Sequence, residues 1–566
     1  MTDGSIAASE RADACFLAVA SMGAQRGLTP VRLDARLDGY LGVRLQGARS
    51  IWQLDVDCES SDFNLPHVLL RERGALRAHV SYLGAVCISD KQGLSLDPDR
   101  RADIVAFSVF AAYDLLEKWD SDAGANRDEF YNELEGYWLG LPDSLRARSA
   151  VEVDGKDRLV SVYVNAKGAS AQWYFAERDG KPPFDYELKR LDALRSLYVH
   201  LNEPVPPPIY PGKVDAAFVE AILHRLSVEQ QELWSRLVGP SKNGRKRVAL
   251  LISVPRPAGG LSLVGVAFGA RGGKVDGAST FTPLTVRRHT PAYMRERGGA
   301  SLDLLRKHIV IVGCGAVGAV VADALAAAGV GRLTLIDRDD FTEDNVFRHV
   351  LEPFWVDVPK VTGLRFTLER HYPGIHVTAI PQWAQKWLRT ASFDDVDGVV
   401  VALGTPTLER DFNRALRGHN KNFPVLFTWL EALDVGGHSV VVWTEGEGCL
   451  DCLYRDENGG AVLHPRTSFL EANQPVSKNI TGCSSAFVPF GALQSRRTGL
   501  MAAEHMLISL SGAPSPSYRY WVGDGKSAAE EKLRTTPWWA NAPSNTFEDA
   551  ARRVFGLPCR HCRPSS

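Results

Sequence analysis

The 566-residue sequence has little net charge and no long uninterrupted hydrophobic run. Its formal net charge is −2, so no global field is expected to recruit nucleic acid or an anionic membrane. The longest apolar stretch surrounds Gly313 and is interrupted by Asp323 and several glycines, which indicates a buried core and not a membrane span. Hydrophobic content of 45% and charged content of 23% are typical of a globular protein, with roughly three or four domains.

The sequence also lacks a recognisable secretion signal. Its N-terminus contains acids and no apolar core, so we expect no signal peptide. Nine cysteines in such a chain favour metal-binding or catalytic thiols, and therefore a cytoplasmic protein. Four of them form two Cys-x-x-Cys pairs with the spacing of a closed structural Zn²⁺ site: Cys449, Cys452, Cys559 and Cys562. A set of unrelated reduced thiols is the alternative.

A glycine turn between a strand and a helix is the main functional signal. A buried strand at 309–312 leads into Gly313, Gly315 and Gly318 in G-x-G-x-x-G spacing, and an Ala-rich helix follows. Such glycines let the backbone approach a phosphate, and the helix N-terminus offers unpaired N–H groups. Asp337 follows about twenty residues later, where a carboxylate can bind ribose hydroxyls. The turn alone would fit a dinucleotide equally well.

The residues after Asp337 favour a triphosphate over a dinucleotide. Asn345, Arg348 and Lys360 place an amide and two cations beyond the second strand. Hydride transfer does not need these groups, whereas attack on an α-phosphorus does, because charge builds on the phosphoryl oxygens. An NAD-dependent oxidoreductase would leave the cations and the paired cysteines unexplained. Solvated surface charges are the alternative for Arg348 and Lys360.

These residues together resemble the ATP site of the ThiF/MoeB/ubiquitin-activating superfamily, over about 302–510. The motifs that carry the resemblance are Gly313-x-Gly315-x-x-Gly318, Asp337-x-Asp339, Asn345-x-x-Arg348 and Pro359-Lys360. The resemblance implies a Rossmann-like α/β domain that uses ATP and Mg²⁺ to adenylate the C-terminal carboxylate of a ubiquitin-fold protein. It also implies a homodimer.

The resemblance further implies roles for residues outside the glycine turn. An arginine from the lead-in, Arg295 or Arg297, is expected to reach the ATP of the partner subunit. Gly404 stands where the family often has an Mg²⁺-binding aspartate, so Asp337 or Asp339 is the expected metal-associated carboxylate. A cysteine in the family's crossover loop receives the acyl group as a thioester, which here would be Cys483. A structural cysteine is the alternative.

The N-terminal segment partly resembles the active-site stretch of ubiquitin-conjugating enzymes. His79 precedes Cys87 in an extended segment, and a helix is predicted at 102–119. The usual His-Pro-Asn is absent, because Val80 and Ser81 follow the histidine. The resemblance implies that Cys87 accepts the acyl group from the activating site. An ordinary buried cysteine is the alternative.

The sequence therefore predicts three parts. Residues 1–150 form an α+β ubiquitin-conjugating-like domain, 151–284 an α/β spacer without a chemical motif, and 285–566 the adenylation domain. Within the spacer we predict one helix at 216–237 and paired strands at 247–254 and 261–268.

The order of the three parts resembles the CD-NTase-associated conjugating enzymes of bacterial anti-phage CBASS operons. In that family the carboxylate belongs to a cGAS-like nucleotidyltransferase, and a target lysine is the expected acceptor. A sulfur-carrier adenylyltransferase with an unrelated N-terminal half is the alternative.

Overall fold

The chain folds into two compact units, Met1–Thr290 and Pro291–Ser566. The computed structural model describes residues 3–59, 64–74, 76–81, 83–90, 93–141, 143–165, 173–178, 180, 188–205, 214–239, 244–480, 486–542, 548–549, 554–555 and 557–562. Within these residues, every helix is too short or too polar to traverse a lipid bilayer.

The first unit begins with a four-stranded antiparallel sheet packed against two long helices. Its elements are α1 (Asp3–Gln25), β1 (Val31–Leu33), β2 (Tyr40–Gln46), β3 (Ile51–Asp57), β4 (Val68–Leu70), α2 (Arg101–Ser121), α3 (Ala123–Asn132) and α4 (Leu134–Leu139). The helix predicted at 102–119 is confirmed as α2. Its buried side, which includes Val105, Val109 and Leu116, packs on the sheet at helical spacing.

A nine-stranded mixed sheet forms the rest of the first unit. Its elements are β5 (Leu145–Ser149), β6 (Arg158–Asn165), β7 (Trp173–Glu177), β8 (Leu188–Arg190), β9 (Leu194–His200), α5 (Ala216–Leu223), α6 (Val228–Val238), β10 (Arg245–Pro255), β11 (Leu261–Arg271), β12 (Lys274–Val275) and β13 (Thr282–Arg288). The predicted strand pair is confirmed, because β10 and β11 are antiparallel with Val248 opposite Phe268.

The single helix predicted at 216–237 is wrong. Two helices occupy this stretch, and Ser227 begins the second one with a capping box. The Ser227 hydroxyl accepts from the Gln230 backbone N–H at 3.3 Å, and the Gln230 side chain accepts from the Ser227 N–H at 2.9 Å. This reciprocal pair satisfies amides at the start of α6 and so favours a break before it.

The nine-stranded sheet draws residues from both sides of the expected boundaries at 150 and 284. Strand β5 pairs in parallel with β13, with Ala147 opposite Val286. The indole N–H of Trp138, in α4, donates to the carbonyl of Gly265 at 3.0 Å. An unpaired strand edge is a liability, and β5 and β13 each cover an edge of the other. The sheet therefore extends from residue 145 to residue 288.

The second unit contains an eight-stranded sheet whose first five strands are parallel, in the order β16-β15-β14-β17-β18-β19-β22-β23. Its elements are α7 (Pro291–Arg297), β14 (His308–Val312), α8 (Ala316–Ala328), β15 (Arg332–Ile336), α9 (Lys360–His371), β16 (His376–Ile380), α10 (Ala384–Leu388), β17 (Gly398–Val401), α11 (Pro406–Leu416), β18 (Pro424–Leu430), β19 (Gly436–Trp443), β20 (Lys478–Asn479), β21 (Ala486–Phe487), α12 (Ala492–Ser511), β22 (Ser517–Val522), α13 (Lys526–Glu530), α14 (Pro537–Ala540) and β23 (Glu548–Asp549).

Strand order reverses at β14, and this reversal positions the candidate site. The chain passes from β14 to β15 on one side and reaches β17 on the other side only after β16. The helix after β14 and the helix after β17 therefore pack on opposite faces of the sheet, which leaves a crevice between the carboxyl ends of these two strands. The glycine turn predicted from the sequence lies at this crevice, directly after β14.

Candidate functional site

The glycines of the turn are fixed by close backbone contacts. Gly313 has φ +88°, and a Cβ there would lie 2.5 Å from the carbonyl oxygen of Ala402. A Cβ on Gly318 would lie 1.9 Å from the carbonyl oxygen of Gly313. Gly315 caps α8, and a Cβ there would meet nothing within 4 Å. Two glycines thus allow tight packing, and the third leaves open space before the helix N-terminus, where an anion binds favourably.

Asp337 supports the turn from the end of β15. Its Oδ2 accepts from the backbone N–H of Cys314 at 2.7 Å, and its Oδ1 accepts from the N–H of Asp339 at 2.9 Å. The carboxylate is half-buried. Each oxygen keeps a further lone pair for a ligand hydroxyl, so the carboxylate can both hold the turn and bind ribose.

His349 also holds the turn, and the sequence did not single it out. Its Nδ1 accepts from the Leu351 N–H at 3.1 Å, so its Nε2 carries the proton and donates to the carbonyl of Cys314 at 2.9 Å. Burial, with a contribution from the positive charges of Lys360 and Arg348, lowers the pKa of His349 to about 4. The imidazole is therefore neutral near pH 7 and acts as an uncharged brace.

The three polar residues predicted to face phosphates differ in their surroundings. Lys360 begins α9, is buried, and places its Nζ 3.3 Å from Oδ2 of Asp339. The guanidinium carbon of Arg348 lies 5.3 Å from the ring centroid of Phe490. Among the residues that the structure describes, no carboxylate pairs with Arg348. The side-chain oxygen of Asn345 accepts from the Thr342 N–H at 3.2 Å, so its NH₂ group and the two cations are the donors that can face an anion.

A cavity of ≈310 Å³ lies on the β17 side of the crevice. It is lined by Gly315, Gly404, Glu409 and several apolar side chains. Glu409 is buried, and its Oε1 accepts from the N–H of Gly404 at 2.9 Å. Burial raises the pKa of Glu409 to about 7. This carboxyl was not predicted from the sequence, and it lies beside Gly404, the position at which an Mg²⁺-binding aspartate was considered.

The two lead-in arginines occupy different environments. Arg295 is buried, and its Nη1 donates to the carbonyl of Gly329 at 2.6 Å, beyond the C-terminal end of α8. Because α8 has 13 residues, this end lies about 20 Å from Gly315. Arg297 is exposed at the end of α7. Of these two arginines, only Arg297 has an exposed side chain.

The two Cys-x-x-Cys pairs come together although they are far apart in sequence. Their four Sγ atoms lie within 4.8 Å of one another. Three separations are 3.8 Å for Cys449–Cys559, 3.5 Å for Cys452–Cys562 and 4.0 Å for Cys449–Cys452. A tetrahedron of thiolates about 2.3 Å from a metal has edges of about 3.8 Å, so this donor set fits a metal ion such as Zn²⁺.

A buried carboxylate supports the cysteine cluster. Asp451 lies between the first two cysteines and is fully buried. Arg410 donates to it at 2.7 Å and Arg414 at 3.1 Å, and both arginines come from α11. Burial alone would raise the pKa of Asp451, but the two guanidinium groups hold that pKa below its usual value. The ion pairs fix the cysteine turn against the helix that follows β17.

Cys87 is exposed and directly follows Val86, which forms an isolated antiparallel bridge with Val80, the residue after His79. The Cys87 N–H donates to the carbonyl of His79 at 2.8 Å. His79 has φ +61°, its Nε2 lies 2.9 Å from Oε1 of Glu129, and its N–H donates to the hydroxyl of Tyr137 at 2.7 Å. The thiol is therefore accessible beside a backbone held in a strained conformation. Cys483 lies outside the described residues.

Comparison with known proteins identifies the class of the second unit. Residues 290–544 match the model of the ThiF family, so the C-terminal half of the chain contains a ThiF domain. This agrees with the glycine turn and the Rossmann-like sheet, and the mixed α/β fold predicted for this half is confirmed.

This chain spans less than half of the length of one curated relative, Cap2, and most of the length of another, the ThiS adenylyltransferase. Cap2 of Pseudomonas aeruginosa, an ATP-dependent ubiquitin transferase-like protein, is 27% identical over 246 residues, 42% of this chain and 42% of that protein. The sulfur carrier protein ThiS adenylyltransferase of Escherichia coli is 28% identical over 232 residues, 41% of this chain and 82% of that protein. Among solved structures, E. coli MccB with ATP has a TM-score of 0.31 at 18% identity, over 41% of this chain and 65% of that chain.

Proposed function

We propose that the second unit uses ATP to activate the C-terminal carboxylate of a protein as an acyl adenylate. A carboxylate oxygen attacks the α-phosphorus, the bond to the β-phosphate oxygen breaks, and pyrophosphate leaves. The observation that carries this proposal is the open space before α8, which Asp337 and the buried Lys360 flank in the same crevice. The ThiF domain and the similarity to Cap2 and to the ThiS adenylyltransferase support it.

Each group in the crevice has a role in this reaction. The amides at the start of α8 bind phosphate oxygens, and Asp337 binds the ribose hydroxyls. Lys360 and Arg348 neutralise charge that develops as pyrophosphate departs. Mg²⁺, which enters with ATP and shields its phosphates, would be held by those phosphates and by Asp339, whose side chain is 52% exposed. Arg297 of a second copy in a homodimer would add a third positive charge beside the phosphates.

The four clustered cysteines would bind Zn²⁺ in a closed structural site. All four positions of a tetrahedron are supplied by the protein, so such a site has no open position for catalysis. It would join the turn at Cys449 to the segment that carries Cys559, and thereby stabilise the second unit.

The acyl group would then pass to thiols of the same chain. The adenylate would be attacked by Cys483 with release of AMP, and the thioester would be exchanged onto Cys87. A lysine amine on a target protein would finally displace the Cys87 thiol. The cGAS-like nucleotidyltransferase implied by the resemblance to the CBASS conjugating enzymes is the proposed carboxylate donor. The exposed thiol of Cys87 supports this order, because a thioester acceptor must be accessible.

The test combines purified chain, Mg-ATP and a cGAS-like nucleotidyltransferase from the same genome. We expect AMP and pyrophosphate release, together with a covalent thioester adduct that excess dithiothreitol removes by thiol exchange and a phosphine reductant leaves intact. A nucleotidyltransferase lacking its last two residues serves as the matched control and should give neither. Absence of pyrophosphate release with every carboxylate donor offered would reject the adenylation step.

Sulfur-carrier adenylation is the second candidate, and the 82% coverage of the ThiS adenylyltransferase favours it. The two functions differ in their need for Cys87. Under the relay, a Cys87→Ser variant should accumulate an oxygen ester that a thiol reagent leaves intact, and should fail to modify lysine. Under sulfur-carrier adenylation, the same variant should turn over like the unmodified chain.

A further inference from the structure

A tryptophan lies exposed at the edge of the sheet beside Asp337. Trp383 follows β16, and 52% of its surface is accessible. Ile336 pairs in register with Ile380, and the Asp337 N–H donates to the carbonyl of Ile380 at 3.4 Å. Trp383 is therefore only three residues beyond the contact that Asp337 makes with this strand. Indole rings are usually well buried, whereas the carboxyl edge of a parallel sheet is where ligands bind.

One face of this indole is already covered by a cation. The guanidinium carbon of Arg338 lies 3.4 Å from the ring centroid of Trp383. Arg338 also places its Nε 3.3 Å from Oδ1 of Asp339, and the other oxygen of Asp339 lies 3.3 Å from Nζ of Lys360. Contacts therefore link Lys360, which is proposed to face the phosphates, through Asp339 and Arg338 to the indole of Trp383. These contacts fix the ring while much of its surface stays exposed.

Packing of the neighbouring helix does not explain why a tryptophan occupies position 383. Helix α10 begins directly after it, and the residue that anchors this helix in the core is Trp387. Trp387 is 7% exposed and packs edge-on against Phe393, with ring centroids 5.7 Å apart. Trp387, and not Trp383, therefore supplies the aromatic side chain that packs this helix on the hydrophobic core.

We propose that Trp383 is the platform on which the purine base of the nucleotide stacks, on the indole face opposite Arg338. This assignment rests on the proposed function. With phosphates at the start of α8 and the ribose at Asp337, the base extends over the ends of β15 and β16, which is the side of Trp383. The ≈310 Å³ cavity on the β17 side then stays free for the acyl substrate. A purine stacks over more of the indole than a pyrimidine does, so Mg-ATP binds more tightly than Mg-CTP.

Calorimetric titration of the full chain with Mg-ATP tests this platform without any acyl substrate. The Trp383→Leu variant should weaken ATP binding by about five-fold to 150-fold, the range for loss of one stacked base. The Trp383→Phe variant keeps an aromatic face and should retain most of the affinity. Trp443→Leu is the matched control, because Trp443 is half-buried, pairs with Pro424, and lies in β19, an interior strand that β14, β17 and β18 separate from β15.

Inorganic tripolyphosphate separates stacking from a general disturbance of the crevice. It carries the phosphates but no base, so the unmodified chain and Trp383→Leu should bind it equally. Unchanged ATP affinity in Trp383→Leu would overturn the platform, as would an equal loss for ATP and tripolyphosphate. ATP binding that depends on Trp383, in a chain that never releases pyrophosphate, would support the platform and reject the proposed function.

Discussion

Protonation of His349 should destabilise the second unit in mildly acidic solution. With a pKa of about 4 in the folded chain and 6.5 in the unfolded one, the unfolded chain binds a proton between these values that the folded chain does not. Stability is therefore lost as pH falls through this window. From pH 7 to pH 5 the loss from this one group is about 2 kcal/mol. The imidazole is 5% exposed, so solvent screening is small.

Glu409 has the opposite effect on the pH dependence of stability, over nearly the same pH range. Its pKa of about 7 means that the folded chain holds a proton between about 4.5 and 7, whereas the unfolded chain releases it. Its contribution to stability is thus present at low pH and lost as pH rises through about 7, again by about 2 kcal/mol. The two effects nearly cancel, so the pH profile of the unmodified chain alone cannot reveal either of them.

Comparing the stability of variants at two pH values isolates the contribution of His349. The His349→Phe variant loses two hydrogen bonds at every pH but cannot be protonated, so its deficit should shrink by about 2 kcal/mol between pH 7 and pH 5. Urea titrations read by hydrogen–deuterium exchange of peptides from α8 would report the second unit specifically. Phe341→Leu, a neighbour whose ring centroid is 5.2 Å from that of His349, is the control with a pH-independent deficit. An identical His349→Phe deficit at both pH values would refute the reasoning.

Three further predictions follow from contacts in the second unit. Gly318→Ala places a methyl group against the Gly313 carbonyl and should abolish measurable ATP binding by calorimetry, whereas wild-type affinity would contradict the steric argument. Cys559→Ser removes one of four thiols and should lower the bound zinc measured by elemental mass spectrometry to well below one per chain. Asp451→Asn leaves Arg410 without its buried carboxylate and should cost about 3–5 kcal/mol by urea denaturation; a change below about 1 kcal/mol would mean that the ion pair is dispensable.

The parts predicted best are those whose causes are local in sequence. The glycine spacing reports a steric requirement within a few residues, so the turn, its strand and its helix were all predicted. The break before α6 was also signalled locally, since Ser227 and Gln230 have the spacing of a capping box, but helical periodicity on either side concealed it.

Residues that depend on distant packing could not be found in this way. His349 is a brace only because Cys314, 35 residues earlier, presents a carbonyl to it. Glu409 has an unusual pKa only because the surrounding elements bury it. Trp383 is a candidate for base stacking because its side chain is exposed, and no sequence pattern predicts that exposure. The cysteine pairs were the exception, because metal-ligand spacing is a local signature even when two turns supply the ligands.

The parallel pairing of β5 with β13 bears on how the chain can be divided. A fragment ending near residue 150 would carry Leu145–Ser149 without its neighbours, and a fragment beginning near residue 285 would keep most of Thr282–Arg288 as an orphan. Either cut exposes unsatisfied amides and carbonyls that invite self-association. Shorter versions intended for biochemistry should therefore separate the chain between Thr290 and Pro291, which cuts none of the strand pairings among the described residues.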